Sequence, residues 1–334
     1  MYFSRIGLRE IEALEEAALQ LRKHTATGDR LALVLTDNII ELAMFFEADY
    51  RFEYDRLFPS VKSPKFNEKM RREVREHFDK KVSFLVQESG ISEDDGNFIK
   101  VAHKLRNESY HKGILREDVL PFIAKTYFGI ACKCLVKFFR GSYASSTDRS
   151  TVSLKKYGIA GSMVMSQDNM QRICDMLMDS NTCSIREHAE ALSENVMQVV
   201  DGILDGIKYH PLYGREGITK DHVLKMIQFW EIAPEKYGCP RSCEEARKIE
   251  EEFFPGFKAP YTMRRIDRIK YRANLLKADP LPGSALQKYH ELYETLQPLD
   301  YWVQHLVWHV EEEIDAEIKA IKERRKPSAE SREA

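Results

Sequence analysis

Apolar residues recur along most of this chain at intervals of three and four, and nowhere do apolar and polar residues alternate over a strand's length. The pattern predicts an all-α fold. Ile11, Leu14, Ala18 and Leu21 mark a first helix over about 5–24. After a Thr-Gly-Asp turn, a longer helix is predicted from about Leu31 to Leu57 through LVLTDNIIELAMFF, with Pro59 closing the hairpin. Pro64 suits the first turn of a third helix, which the pattern carries to about Gly90. A fourth is expected over about Glu93 to Lys112. A fifth is expected from Glu117 to Phe139, where Pro121 falls in the first turn and is tolerated.

The helical period then lapses. RGSYASSTDRSTVS is rich in serine, threonine and glycine and reads as a linker. This gives an antiparallel helical bundle over 1–140, a linker at 141–153, a second helical domain over 154–325 and a polar, disordered tail at 326–334. In the second domain Ser166, Ser184 with Glu187, Thr219, Ser242 with Glu245, Thr262 and Ser284 each precede an apolar periodic run, as helix caps do. Proline and glycine clusters such as FFPGFKAP and DPLPG suggest ordered loops between shorter helices. The chain contains no internal repeat.

Composition narrows the partners. In 334 residues, 51 lysines and arginines stand against 53 acidic side chains, so no diffuse attraction to polyanions is expected. Nucleic acid would have to be held by a local patch. The six cysteines, Cys132, Cys134, Cys174, Cys183, Cys239 and Cys243, form no CxxC pair and read as reduced thiols. Charge within the first five residues argues against a secretory signal, and the most apolar run, FGIACKCLVKFF, is broken by lysines. A soluble, cytoplasmic protein is expected.

Candidate chemistry concentrates in KLRNESYHKG, residues 104–113. On a helical wheel Phe98, Val101, Ala102, Leu105 and Ser109 face one side. Asn107 and His111, four apart, share a stripe roughly opposite, and Arg106 lies between with reach toward His111. Gly113 is a natural helix stop, which places His111 in the last turn, where exposed carbonyls favour a positive charge. That helps a group that must release a proton at neutral pH, and it helps plain helix capping equally. Arg72 and His77 repeat the spacing without an asparagine or a stop, in the middle of a charged helix, and read as a coincidence.

The Arg106-Asn107-x-x-x-His111 pattern near a helix end, in a bundle led by a long hairpin, resembles the HEPN superfamily over roughly the first 140 residues. The signature of that family is an arginine and a histidine separated by four to six residues, commonly with a polar residue after the arginine. The resemblance implies a metal-independent endoribonuclease of defence or toxin-antitoxin systems, with an active site formed where two copies of the motif meet in a homodimer. His111 would then act as base or acid. Arg106 would hold the phosphate, Asn107 would position the hydroxyl or the imidazole, and the product would be a 2′,3′-cyclic phosphate. Asp37 or Glu41, which interrupt the second helix, would orient Arg106 as in some branches; otherwise they form the exposed stripe of a half-buried helix. Some relatives carry a tyrosine two places after the histidine for nucleotide attachment by an antitoxin. Gly113 stands there, which speaks against that control route; an antitoxin or other defence-system protein is the kind of partner the resemblance implies. The alternative is a catalytically silent module of the same fold, used for dimerisation or nucleotide binding in a larger assembly.

Two features of the second half remain. Arg264, Arg268 and Arg272 follow at four-residue steps with Arg265 and Tyr271 alongside, a row that would grip a phosphate backbone or simply lie solvated or ion-paired. His305 and His309 have a one-helix metal spacing, which would make a metal-dependent hydrolase, but no glutamate stands between them and their neighbours suggest packing. No nucleotide-binding glycine loop or nucleophile elbow is present. Neither a metal nor a cofactor is expected.

Overall fold

In the computed structural model, the described residues are 8–58, 64–112, 116–140, 142–143, 154–159, 164–210, 212–232 and 257–324, with 244, 248 and 251 between them; for 8, 110–112, 142–143, 164–165 and 232 the backbone alone is described. Eleven α-helices lie among them: α1 (Leu8–Leu21), α2 (Ala26–Leu57), α3 (Glu68–Glu76), α4 (Phe78–Gln87), α5 (Glu93–Lys112), α6 (Leu120–Phe138), α7 (Gln167–Met178), α8 (Ile185–Gly206), α9 (Lys220–Ile232), α10 (Met263–Leu276) and α11 (Pro282–Arg324). A 3-10 turn spans Ile207–Tyr209, and Ser142–Tyr143 pairs antiparallel with Val164–Met165. The fold is all-α. No helix among the described residues is long and apolar enough to cross a membrane.

The chain divides into two compact units, Met1–Ser193 with Leu276–His290, and Glu194–Leu275 with Glu291–Ala334. In the first, α2 is the central element and packs on α1 and α6 and along α3, α4 and α5. Alanines make the close approaches: Ala17 and Ala18 of α1, Ala32 and Ala43 of α2, and Ala131 of α6 are fully buried among Leu14, Ile40, Met44, Phe128 and Leu135. α2 starts earlier than its apolar pattern suggests. Thr25 is its N-cap and accepts from the Gly28 amide at 3.1 Å, which draws Thr27, Gly28 and Asp29 into the first turn. Gly28 is needed there, because a Cβ would stand 2.7 Å from the Gln20 carbonyl oxygen.

The third helix expected from the sequence is two. Asn67 caps α3, so Pro64 lies before the helix and not in its first turn, and the chain breaks at His77 (φ −115°, ψ 124°) before α4 begins. Tertiary packing explains the break. Arg71, buried on α3, bonds Asp55 at 3.1 Å, while Phe84 on α4 packs on Phe52 and Phe66 at centroid separations of 4.9 and 5.2 Å. Both sides of the break thus grip α2 and its neighbourhood. α5 opens on a Ser92–Asp95 capping pair, with Glu93, Asp94 and Asp95 in its first turn, where negative charge is favoured.

The 141–153 stretch lies largely outside the described residues, and the first unit continues beyond it. α7 packs on α6; the Tyr157 hydroxyl donates to Glu15 at 2.6 Å and Arg22 to Asn181 at 3.4 Å. Of the expected caps, Ser166, Thr219, Thr262 and the Ser184–Glu187 pair are observed. Ser284 is not a cap. It lies inside α11, and its amide and that of Gly283 donate to Asp94 at 2.8 and 3.0 Å, fastening 276–290 to the first unit. Pro59, Gly113, Ser242, Cys239, Cys243 and the tail at 326–334 lie outside the described residues. Cys132, Cys134 and Cys174 are buried free thiols, and Cys183 is half-buried.

In the second unit Val196, Val200 and Ile203 of α8, Val223, Leu224 and Ile227 of α9, Ile266 of α10, and Leu296, Leu299 and Val303 of α11 form the core. The buried Gln228 amide donates to the carbonyls of Leu224 and Tyr261 and accepts from the Tyr261 amide, so every polar atom of that side chain is used.

Candidate functional site

Three helices of the first unit meet at one carboxylate. Asp37 sits on the core-facing stripe of α2, between Leu33 and Ile40, and is fully buried. An isolated carboxylate there would be untenable, because leaving a charge dry costs several kcal/mol. Asp37 is tenable because donors converge on it. Arg106 of α5 bonds Oδ2 through Nε at 2.9 Å and Nη2 at 2.5 Å. The Tyr127 hydroxyl of α6 donates to Oδ1 at 2.8 Å. His103, one turn before Arg106, brings Nδ1 to 3.1 and 3.0 Å from the two oxygens.

Burial pushes the Asp37 carboxyl upward, but the hydrogen bond and charge of His103, the Tyr127 hydroxyl and the Arg106 charge together outweigh it. The group therefore titrates below the usual carboxylate value and is ionised at neutral pH. Tyr127 moves the other way. Burial first, then the Asp37 charge, holds its phenol well above its ordinary value, so it remains a proton donor. An ionised carboxylate only accepts, so His103 Nδ1 carries hydrogen and donates to Asp37, which leaves Nε2 as the ring nitrogen not engaged by the carboxylate. The ring is held flat against Phe78, with centroids 3.7 Å apart and planes 13° apart. Phe78 is the first residue of α4, placed by the break at His77.

Arg106 is fixed from a third side, since Nη1 donates to Asn107 Oδ1 at 2.8 Å. A guanidinium has five N–H groups. These bonds use one on each nitrogen, so each terminal nitrogen keeps one further N–H. One-fifth of the Arg106 side chain remains exposed.

Of the sequence candidates, Asp37, Arg106 and Asn107 come together. Arg106, expected between the two faces with reach toward His111, turns inward instead, because a buried carboxylate awaits it on α2. Of the two readings of Asp37, partner of Arg106 or part of an exposed stripe, the second is corrected: the side chain is buried and bonded to Arg106. Asn107 serves the arginine. Glu41 bonds Lys81 at 3.5 Å and is not among the Arg106 partners. His111 is in the final turn of α5, but its side chain lies outside the described residues. The Arg72–His77 repeat is corrected as well: His77 is not in mid-helix but between α3 and α4, so no helical stripe joins the two. His103, Tyr127 and Phe78 were not candidates. The Leu33-Asp37-Ile40-Met44 spacing, which sets an acid among core positions, was the available signal that a partner must exist.

In the second unit Arg264, Arg265, Arg268 and Arg272 are all exposed. Arg265 donates to the Pro260 carbonyl at 2.6 Å and lies over the Tyr261 ring, while Arg272 pairs with Glu291 at 3.5 Å. His305 and His309 stack on Trp230 at 5.5 and 5.4 Å, and His305 Nδ1 meets Glu231 at 2.5 Å. Both imidazoles are thus engaged in ring packing. No known protein family, curated protein or solved structure matches the chain.

Proposed function

We propose that the first unit is a metal-independent endoribonuclease of the HEPN type, acting as a homodimer in a defence or toxin-antitoxin setting. The observation that carries this reading is the clamp on Arg106. A buried, ionised Asp37 and the Asn107 amide hold the guanidinium and leave one N–H on each terminal nitrogen available to phosphate oxygens. Such preorganisation serves charge that gathers on phosphorus during transfer, because the donors need no rearrangement when it appears. His111, at the end of the same helix, supplies acid or base, and the partner copy supplies the complement. The second unit recruits substrate, senses a trigger or binds an inhibitor, with its exposed arginine row as the candidate contact.

The test is incubation of wild-type protein and His111→Ala with labelled RNA in excess chelator. Wild type should cut and leave 2′,3′-cyclic phosphate ends; His111→Ala should keep its fold and lose at least 100-fold in rate. Cutting that His111→Ala leaves intact, or that chelator abolishes, refutes the reading.

One observation favours a second reading. Three of the Arg106 N–H groups are spent on a dry network, which is also the form of an ion pair that simply fixes a fold. On that reading the bundle is a silent dimerisation or nucleotide-binding module, and wild-type protein leaves RNA uncut in the same assay.

A further inference from the structure

Besides the motif residues, the Asp37 cluster contains one more group with proton-transfer chemistry. The His103 imidazole has its Nδ1 on a buried carboxylate and its plane fixed by Phe78, and one-fifth of its side chain is exposed. Nε2 has no partner among the described residues and is not among the buried unpartnered atoms. It shares one oxygen, Asp37 Oδ2, with the guanidinium proposed to hold the phosphate. A carboxylate behind one ring nitrogen sets the tautomer and balances the positive charge that forms when the other nitrogen takes a proton. This is the arrangement of a general base, and it is separate from the arginine-histidine spacing.

We propose that His103 is a catalytic residue of this site, the base that accepts the ribose 2′-hydroxyl proton at Nε2. The proposal rests on the ribonuclease reading above. In the step the 2′-oxygen gives its proton to His103 Nε2 and bonds phosphorus, and the bond from phosphorus to the 5′-oxygen breaks. The leaving oxygen takes a proton from protonated His111. The products are a 2′,3′-cyclic phosphate and a 5′-hydroxyl. His103 then returns its proton to water, and His111 regains one from water. Asp37 is a positioning residue throughout and keeps its charge. The division of labour leaves the acid role to a His111, which the partner copy supplies.

The decisive variant is His103→Asn, whose amide N–H can replace Nδ1–H on Asp37 while nothing replaces Nε2. Wild type, His103→Asn and His111→Ala are compared for RNA cleavage, for affinity toward uncut RNA and for thermal unfolding. If His103 is the base, His103→Asn melts near wild type, binds RNA within threefold of it and cuts at least 100-fold more slowly. If His103 only supports the fold, His103→Asn cuts at close to the wild-type rate, and the assignment falls while the ribonuclease reading stands. Wild type that cuts no RNA overturns both. Should His103→Asn fail to fold, nitrogen-15 NMR of the wild-type imidazole decides: a neutral ring protonated at Nδ1 is required, and one protonated at Nε2 overturns the assignment.

Discussion

Neutralising Asp37 should destabilise the first unit strongly. Asp37→Asn keeps the shape but removes the charge, and it turns one acceptor into an N–H that faces the donors of Arg106, His103 or Tyr127. Breaking a buried ion pair by removing one partner costs about 3–5 kcal/mol. Arg106 keeps one-fifth of its side chain in solvent, which relieves part of the stranded charge and favours the lower end, about 3 kcal/mol. For a unit of this size that corresponds to a fall in melting temperature of roughly 6–12 °C. Far-UV circular dichroism melts at neutral pH measure it directly. A double-variant cycle isolates the pair: Arg106→Met should cost about 1–3 kcal/mol less in the D37N background than in wild type, because its partner's charge is already gone. A D37N melting point within 2 °C of wild type, or strict additivity in the cycle, would refute the claim that the carboxylate organises this cluster.

Three further outcomes are expected. Tyr127→Phe should lower stability by about 1.5–3 kcal/mol, the worth of a hydrogen bond to a charged group, read from urea unfolding midpoints. His188 is fully buried and its imidazole is pushed down to about 4 by burial, so its unfolded form binds a proton at higher pH than its folded form. Its contribution is complete above its ordinary value of 6.5 and falls as pH drops from there toward 4, a loss on the order of 3 kcal/mol; His188→Leu should flatten that part of a plot of stability against pH. In the second unit a Cβ on Gly206 would collide with the Val303 side chain, so Gly206→Ala should destabilise by about 1–3 kcal/mol, measured by chemical denaturation.

The helical architecture was legible because nearly every helix carries its own period and many carry caps within a few residues. The Ser184–Glu187 pair and Pro121 in the first turn of α6 are local signals, and the folded chain uses them locally. What escaped was set by distant partners. Nothing in RREVREHFDKK marks a break at His77, since no proline or glycine stands there; the break follows from two grips, Arg71 on Asp55 and Phe84 on Phe52. The α5 wheel placed Leu105 and Ala102 correctly inward, yet aimed Arg106 toward His111, because a wheel shows the Cα direction and a long side chain follows its counter-charge. Asp37 was noticed as an interruption in an apolar helix, but an interruption is compatible with either an exposed stripe or a buried anchor. Only the three donors on other helices decide between them. His103 was invisible for a related reason: its role depends on α2 and α4, neither of which its own neighbours reveal.

The Asp94 bonds to Gly283 and Ser284 bear on when this protein becomes complete. A ribosome releases residues 1–193 long before 276–290, so the first unit waits for its final piece while some eighty intervening residues are made. Any property that needs the finished unit must appear late in synthesis, and a fragment stopped at 193 leaves the Asp94 carboxylate without the two amides that fasten it.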